Sequence, residues 1–149
     1  MNLKTFFKPS FITGYILAAF VTIGCYTWLI KRATMSFEEK FRQEVRDINS
    51  KLPMHVDAFT VMDSVAYVDS TPEEAAYYYS ICGEIDNPVI WNKQAIEALR
   101  QHTIEDLCKN DMTLQMRQRG FVFSYHYYSE SDPSLLLTEF IIGPEDYSY

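Results

Sequence analysis

The sequence predicts an α+β protein: an N-terminal transmembrane helix, an amphipathic helix, and a two-layer β-β-α-β-β domain with a four-stranded antiparallel sheet. Three observations predict this architecture. Residues 11–30 carry no charged side chain, an apolar stripe at helical spacing follows them, and segments of alternating polarity then flank one long helical pattern. Of the 149 residues 48% are apolar and 22% charged, which is typical of chains that bury a core.

The uncharged segment has the length of a membrane-spanning helix. It reads FITGYILAAFVTIGCYTWLI over residues 11–30. Because a helix rises about 1.5 Å per residue, this run covers roughly the 30 Å of a bilayer's hydrocarbon core. A basic tail, residues 1–10, precedes it, and Lys31 and Arg32 follow it. We therefore expect a single-pass anchor in a lipid bilayer.

Charge and export rules give opposite indications of the side of the membrane on which the domain lies. Basic residues soon after the anchor favour a cytoplasmic domain, whereas short basic tails usually stay inside and large domains are exported whatever their charge. The segment 21–25 resembles a bacterial lipobox, in which cleavage would leave a lipidated Cys25. The apolar run continues beyond Cys25, however, and is longer than the apolar region of a signal peptide. We expect an uncleaved anchor in the bacterial inner membrane and a periplasmic domain, with the lipoprotein as the alternative.

Charge is distributed unevenly along the chain. From Ala33 onward nine Lys and Arg face all twenty Asp and Glu, a net charge of −11. Nucleic-acid binding depends on basic side chains that displace counterions from phosphates, so a nucleic-acid partner is excluded. A protein partner fits this surface better.

The juxtamembrane segment, residues 31–53, predicts an amphipathic helix. Ser36 and Glu39 have the spacing of a capping box, and Pro53 ends the helix. One apolar stripe follows the cap, formed by Phe37, Phe41, Val45, Ile48 and Leu52. This stripe either docks on the domain or forms a homo-oligomer through helix 37–52. We favour docking, because the stripe is short for a coiled coil.

The domain is expected over residues 54–144, with a frayed tail at 145–149. A hairpin of two strands is predicted from about 56 to 85 and a helix over 90–110, followed by a shorter helical piece at 112–118. The last two strands are predicted at 121–128 and 135–142.

Familiar catalytic and metal-binding motifs are absent from the sequence, and we expect no enzyme activity, cofactor or metal. His102, Glu105 and Asp106 fit a solvated helix face better than a metal site. Cys82 and Cys108 remain as a speculative disulfide, although two free thiols fit the predicted layout better.

Four residues are candidates for binding a protein partner. His126 lies in mid-strand on the less apolar parity, beside Ser124 and Tyr128, and faces Tyr78 if that strand is its neighbour. Tyrosine offers apolar area with a hydrogen-bonding tip, which suits a binding surface. An ordinary amphipathic sheet face explains the same pattern.

The domain resembles small membrane-anchored bacterial domains of unassigned function. The residues that carry the resemblance are Leu52-Pro53, Val56-Asp57, Thr60, Ser64-Val65, Tyr77-Tyr78-Tyr79, Cys108, Gly120 and Tyr125-His126-Tyr127-Tyr128. Such domains often carry a Gly in the last hairpin and a closing Cys, and this chain has neither. The resemblance implies the architecture and no activity.

Three functional hypotheses follow. The first is a non-enzymatic, single-pass membrane protein whose acidic, Tyr-rich domain binds a protein, as an accessory subunit of a bacterial envelope assembly. The second is an exported lipoprotein, an escort or inhibitor, lipidated at Cys25. The third is a small hydrolase or thiol enzyme, which requires a pocket that joins His126 to Cys82 or to a carboxylate.

Overall fold

A computed structural model describes residues 35–147, which form one mixed sheet and three α-helices. The helices are α1 (Phe37–Asn49), α2 (Lys93–Lys109) and α3 (Asp111–Gln118). The strands are β1 (Met54–His55), β2 (Thr60–Val68), β3 (Glu74–Ile81), β4 (Val122–Ser129) and β5 (Leu136–Ile142). A 3-10 turn, Gly83–Ile85, follows β3. The predicted α+β class is confirmed.

The sheet differs from the prediction in strand number and in direction. Its order is β1-β2-β3-β4-β5, and β3 runs parallel to β4 while all other neighbours are antiparallel. The expectation of four strands, all antiparallel, is therefore wrong. The extra strand, β1, is only two residues long. The parallel pair arises because α2 and α3 return the chain to the level where β3 begins, as a long crossover connection does.

Helix α1 begins at the predicted capping box. The Ser36 amide donates to Glu39 Oε2 at 3.0 Å, and the Glu39 amide donates to Ser36 Oγ at 3.2 Å. Two backbone donors that have no partner within the helix are thereby satisfied.

The apolar stripe of α1 packs on the domain, as the sequence favours. The Phe41 ring meets Tyr67 and Phe121 edge-on, with centroids 5.4 and 5.5 Å apart. Val45 is also buried, whereas Ile48 is 39% exposed. A homo-oligomer through this helix would therefore have to form without Phe41 and Val45.

One face of the sheet carries the core, and the helices cover it. Phe121, Phe123, Ile81 and Ile142 are fully buried there. Helix α2 packs less closely on the sheet than α1 does, since Leu107 is its one buried residue. Space is left between the middle of α2 and the sheet.

Within residues 35–147, no helix combines the length and the apolar character that a membrane crossing requires. The anchor predicted at residues 11–30 and the candidate lipidation site Cys25 lie outside the described residues.

Candidate functional site: a tyrosine-lined cleft

Four tyrosines on the helix-facing side of the sheet form a compact aromatic cluster. Tyr77 lies opposite Tyr125, and Tyr79 lies opposite Tyr127, across the parallel pair β3–β4. The paired rings are stacked, with centroids 5.1 and 5.0 Å apart. Side chains two residues apart share a face of a strand, so each strand contributes two neighbouring rings. The parallel register then brings the two pairs together.

These tyrosines form the floor of a cleft of about 550 Å³, which we call the tyrosine cleft. Helix α2 forms the opposite wall, chiefly through Leu99, Thr103 and Leu107. Cavities of this volume with aromatic walls are typical of ligand-binding sites.

Trp91 closes one end of the cleft and fixes the start of α2. Its ring lies 5.8 Å from that of Tyr127, and its Nε1–H donates to the Ile85 carbonyl at 3.0 Å. The next residue, Asn92, caps α2 by accepting from the amides of Gln94 and Ala95. The helix therefore begins at a defined distance from the sheet.

None of the four cleft hydroxyls makes a hydrogen bond to any residue within 35–147. Tyr79, Tyr125 and Tyr127 are nevertheless only 7–8% exposed. The Tyr147 hydroxyl, by contrast, donates to the Phe121 carbonyl at 2.7 Å. The four cleft hydroxyl oxygens are reached by solvent through the cleft, since none of them is a buried atom that lacks a partner. The cleft thus offers polar atoms that the fold itself does not use.

The cleft tyrosines are neutral at physiological pH. Burial raises the pKa of Tyr77 and of Tyr127 to about 12, and it raises the pKa of Tyr79 and Tyr125 as well. Neutral phenols both donate and accept hydrogen bonds. Their chemistry in this cleft is recognition of polar groups, without a charged oxygen.

Carboxylates stand at the mouth of the cleft. Asp57 and Asp106 line it, and no Lys or Arg does. Their charge reaches the floor: after burial and the neighbouring phenols, Asp106 contributes to the raised pKa of Tyr125, and Asp57 contributes to that of Tyr127. The lining therefore holds two carboxylates, of which Asp106 is paired with His102.

The four residues predicted to bind a partner lie on one face of β3 and β4, opposite the cleft, although Ser124 is only 2% exposed. We call Tyr78, Ser124, His126 and Tyr128 the outer patch. Tyr78 stacks on His126 with centroids 4.9 Å apart, and His126 Nδ1 lies 3.3 Å from Glu139 Oε2. The Ser124 hydroxyl donates to Glu74. Their placement together follows from the β3–β4 register, while a role in binding stays a prediction.

The remaining candidates are separated in space. Cys82 and Cys108 are both free thiols, so the speculative disulfide is not formed. Cys82 Sγ lies 3.8 Å from the Ala58 carbonyl, beyond the end of β3, whereas His126 lies opposite Tyr78 in mid-strand. The two side chains do not form a dyad.

The acidic and histidine side chains of α2 pair along the helix. His102 Nε2 lies 3.3 Å from Asp106 Oδ2, and Glu105 pairs with Lys109 at 3.5 Å. No group of three metal-ligating side chains occurs among the residues that the structure describes.

Sequence reasoning missed the tyrosine cleft, because Tyr125 and Tyr127 share one face of the predicted strand with Phe121 and Phe123, a pattern that is typical of a packed core. A signal was present. Residues 77–79 and 125–128 place Tyr, rather than Phe or Val, at inward-facing positions of two strands. Several hydroxyls on one inward face indicate that this part of the domain needs hydrogen-bond partners. The sequence alone does not show where those partners lie.

Solved structures of similar fold come from two bacteria. A protein from Pseudomonas aeruginosa that is predicted to be secreted matches with a TM-score of 0.59 and 10% identity, over 70% of this chain and 87% of its own. The pilotin EpsS of the Vibrio vulnificus type 2 secretion system matches with a TM-score of 0.52 and 8% identity, over 72% and 87%. At these identities the similarity establishes the fold alone. A comparison with curated proteins found no match.

The family assignment rests on the sequence of the domain itself. Residues 36–137, more than half of the chain, match the family described as "Domain of unknown function (DUF8479)". This match agrees with the resemblance to small domains of unassigned function. The chain therefore belongs to the DUF8479 family.

Proposed function

We propose that this chain is a membrane-tethered, non-enzymatic protein whose domain binds a segment of a protein partner in the tyrosine cleft. The observation that carries the proposal is the set of four cleft hydroxyls without a hydrogen-bond partner in the described residues. These oxygens are reached by solvent through the cleft. A bound segment with polar groups of its own can replace that water and keep the hydroxyls hydrogen-bonded.

The cleft residues favour binding over catalysis. The threonines of its helical wall are engaged, since the Thr103 hydroxyl donates to the Leu99 carbonyl and the Thr113 hydroxyl to the Leu107 carbonyl, both at 2.8 Å. His102, the histidine at the cleft, is paired with Asp106 and has a largely exposed side chain. A nucleophile activated by a base therefore finds no support among these residues.

The tether and the fold support a role in the bacterial envelope. The uncharged segment 11–30 has the length of a membrane anchor. One protein of similar fold is a pilotin of a type 2 secretion system. We place the domain in the periplasm, as an accessory subunit of an envelope assembly.

Site-specific photo-crosslinking tests this proposal. The full chain is expressed in its native bacterium with p-benzoylphenylalanine in place of His102, at the mouth of the cleft. The matched control carries the same residue in place of Tyr78 in the outer patch. We expect a discrete crosslinked protein from position 102, and its loss when Thr103→Trp fills the cleft. A thermal melt verifies that each variant is folded.

The control separates two binding surfaces. A product from position 78 alone would assign binding to the outer patch and overturn the assignment to the cleft. The absence of a product from both positions would contradict partner binding by this domain.

A lipoprotein escort is the alternative, and the fold shared with a pilotin is the observation that favours it. In this case the lipobox-like segment 21–25 is cleaved, and Cys25 becomes the lipidated first residue. Mass spectrometry of the mature chain distinguishes the two, because the anchor keeps residues 1–24 and the lipoprotein loses them.

A further inference from the structure

We infer that the tyrosine cleft recognises an arginine side chain of the partner segment, flanked by apolar residues. This inference rests on the proposed function and names the chemistry that the same cleft selects. It follows from the charge at the cleft mouth, from the geometry of the floor and from the polar atoms left unused.

The carboxylates that line the cleft favour a positively charged ligand. Asp57 and Asp106 line the cleft, and their field reaches the hydroxyls of Tyr127 and Tyr125. The two basic residues next to lining residues of this wall are engaged elsewhere: Arg100 pairs with Asp146 at 2.5 Å, and Lys109 pairs with Glu105 at 3.5 Å. No Lys or Arg lines the cleft, and its histidine, His102, lies 3.3 Å from Asp106. Asp57 forms no ion pair within residues 35–147, and a cation is the complementary charge.

The floor selects a flat cation over a compact one. The rings of Tyr77 and Tyr125, and those of Tyr79 and Tyr127, stack on each other at 13°, so these faces are covered and the hydroxyl edges line the floor. A guanidinium is planar, carries its N–H donors in a fixed fork and is more weakly hydrated than an ammonium. Arginine is therefore favoured over lysine in a site that is partly closed to water.

The unused hydroxyls match the donors of arginine. The four phenol oxygens accept hydrogen bonds, and a guanidinium carries five N–H donors in a fixed fork. The rest of the lining is apolar, with Ile81, Leu99 and Leu107 among its members. Apolar residues on both sides of the arginine would fill that space.

Trp91 provides the signal for a direct test. It is half-buried at the end of the cleft, against Tyr127. Trp28→Phe in the full chain leaves Trp91 as the one tryptophan. The purified chain in mild detergent is titrated with acetyl-Leu-Arg-Leu-amide and with analogues that carry lysine, citrulline or glutamate in the middle.

We expect the arginine peptide to change Trp91 emission and to bind about tenfold more tightly than the citrulline peptide, its neutral isostere, in line with hydrogen bonds from a charged donor in a partly desolvated site. Lysine should fall between them, and the glutamate peptide should not bind. Binding of the arginine peptide should weaken as salt is added.

Charge-removing variants locate the cation. Asp57→Asn and Asp106→Asn should each lower the affinity for the arginine peptide about threefold, because an exposed ion pair contributes little free energy. The affinity for the citrulline peptide should stay unchanged. Asp63→Asn is the matched control: it removes the same charge from an exposed residue that hydrogen-bonds to Ser80 on the other side of the sheet. It should not affect either peptide.

Three results would overturn the inference: equal binding of arginine and citrulline peptides, no response to any peptide, or equal effects of the cleft and control variants. None of these alters crosslinking from position 102. Failure of the arginine assignment is thus distinguishable from failure of the proposed function.

Discussion

At the residue scale, two buried tyrosines of the same domain have opposite roles. The Tyr147 hydroxyl stabilises the fold, since it donates to the Phe121 carbonyl next to the start of β4. The Tyr125 hydroxyl has no partner within residues 35–147, although the residue is 7% exposed. The Tyr125 hydroxyl opens to the cleft and is available to a ligand.

Substitution by phenylalanine separates these roles. Tyr147→Phe should lower the free energy of unfolding by about 1 kcal/mol, because a buried hydrogen bond is lost and a carbonyl is left unpaired. Tyr125→Phe should change the free energy of unfolding by less than about 0.5 kcal/mol, since its hydroxyl has no partner within residues 35–147 and is reached by solvent through the cleft. Urea denaturation measures both. A large loss of stability in Tyr125→Phe would show that its hydroxyl supports the fold.

The cleft tyrosines also predict how stability depends on pH. Their pKa is about 10 in the unfolded chain, and burial raises the pKa of Tyr77 and Tyr127 to about 12 in the fold. Between these values the unfolded state loses protons that the folded state keeps. The free energy of unfolding should therefore fall from pH 10 to pH 12, by about 1.4 kcal/mol per pH unit for each such tyrosine.

Urea midpoints across the alkaline range, with tyrosinate absorbance recorded in parallel, measure this dependence. Tyr127→Phe is the control and should make the fall less steep by the share of one tyrosine. Ordinary titration of the cleft tyrosines near pH 10, with no loss of stability, would mean that the cleft is open to water.

At the element scale, α1 is part of the domain from Phe41 onward, and its buried stripe predicts a graded response to truncation. Phe41→Ala should destabilise the domain by about 3–5 kcal/mol, because it leaves a cavity beside Tyr67 and Phe121. Ile48→Ala, on the same stripe but 39% exposed, should cost less than about 1 kcal/mol.

Urea denaturation and analytical ultracentrifugation of both variants in mild detergent decide between a docked helix and a dimeric stalk. If the stripe were a stalk, the two substitutions would cost similar amounts and would change the oligomeric state. A docked helix changes stability alone.

The crossover between β3 and β4 is the element that builds the cleft. Helices α2 and α3 bring β4 back beside β3 in parallel, and that register sets Tyr77 against Tyr125 and Tyr79 against Tyr127. An all-antiparallel order would have paired other residues. Because α2 packs on the sheet mainly through Leu107, the floor of the tyrosine cleft stays accessible.

At the scale of the whole molecule, the tether decides which partners the cleft meets. We expect the full chain to sediment with membranes and to leave the membrane only with detergent. A reporter enzyme that is active only after export, fused after Tyr149, should be active, because the domain is placed in the periplasm. Activity of a cytosol-dependent fluorescent reporter at the same position would contradict that placement, and a reporter fused after residue 10, without the segment 11–30, serves as the cytosolic control.

The sequence by itself determined the α+β class, the position of most helices and strands, the capping box at Ser36 and Glu39, and the face shared by Tyr78, Ser124, His126 and Tyr128. These depend on local periodicity and on contacts within a few residues. The tertiary structure decided that β4 pairs in parallel with β3, that a fifth strand joins the edge, and that α2 stands off from four tyrosines. Those outcomes depend on strand pairing and on packing between residues far apart in the chain, and no pattern within a single segment encodes either of them.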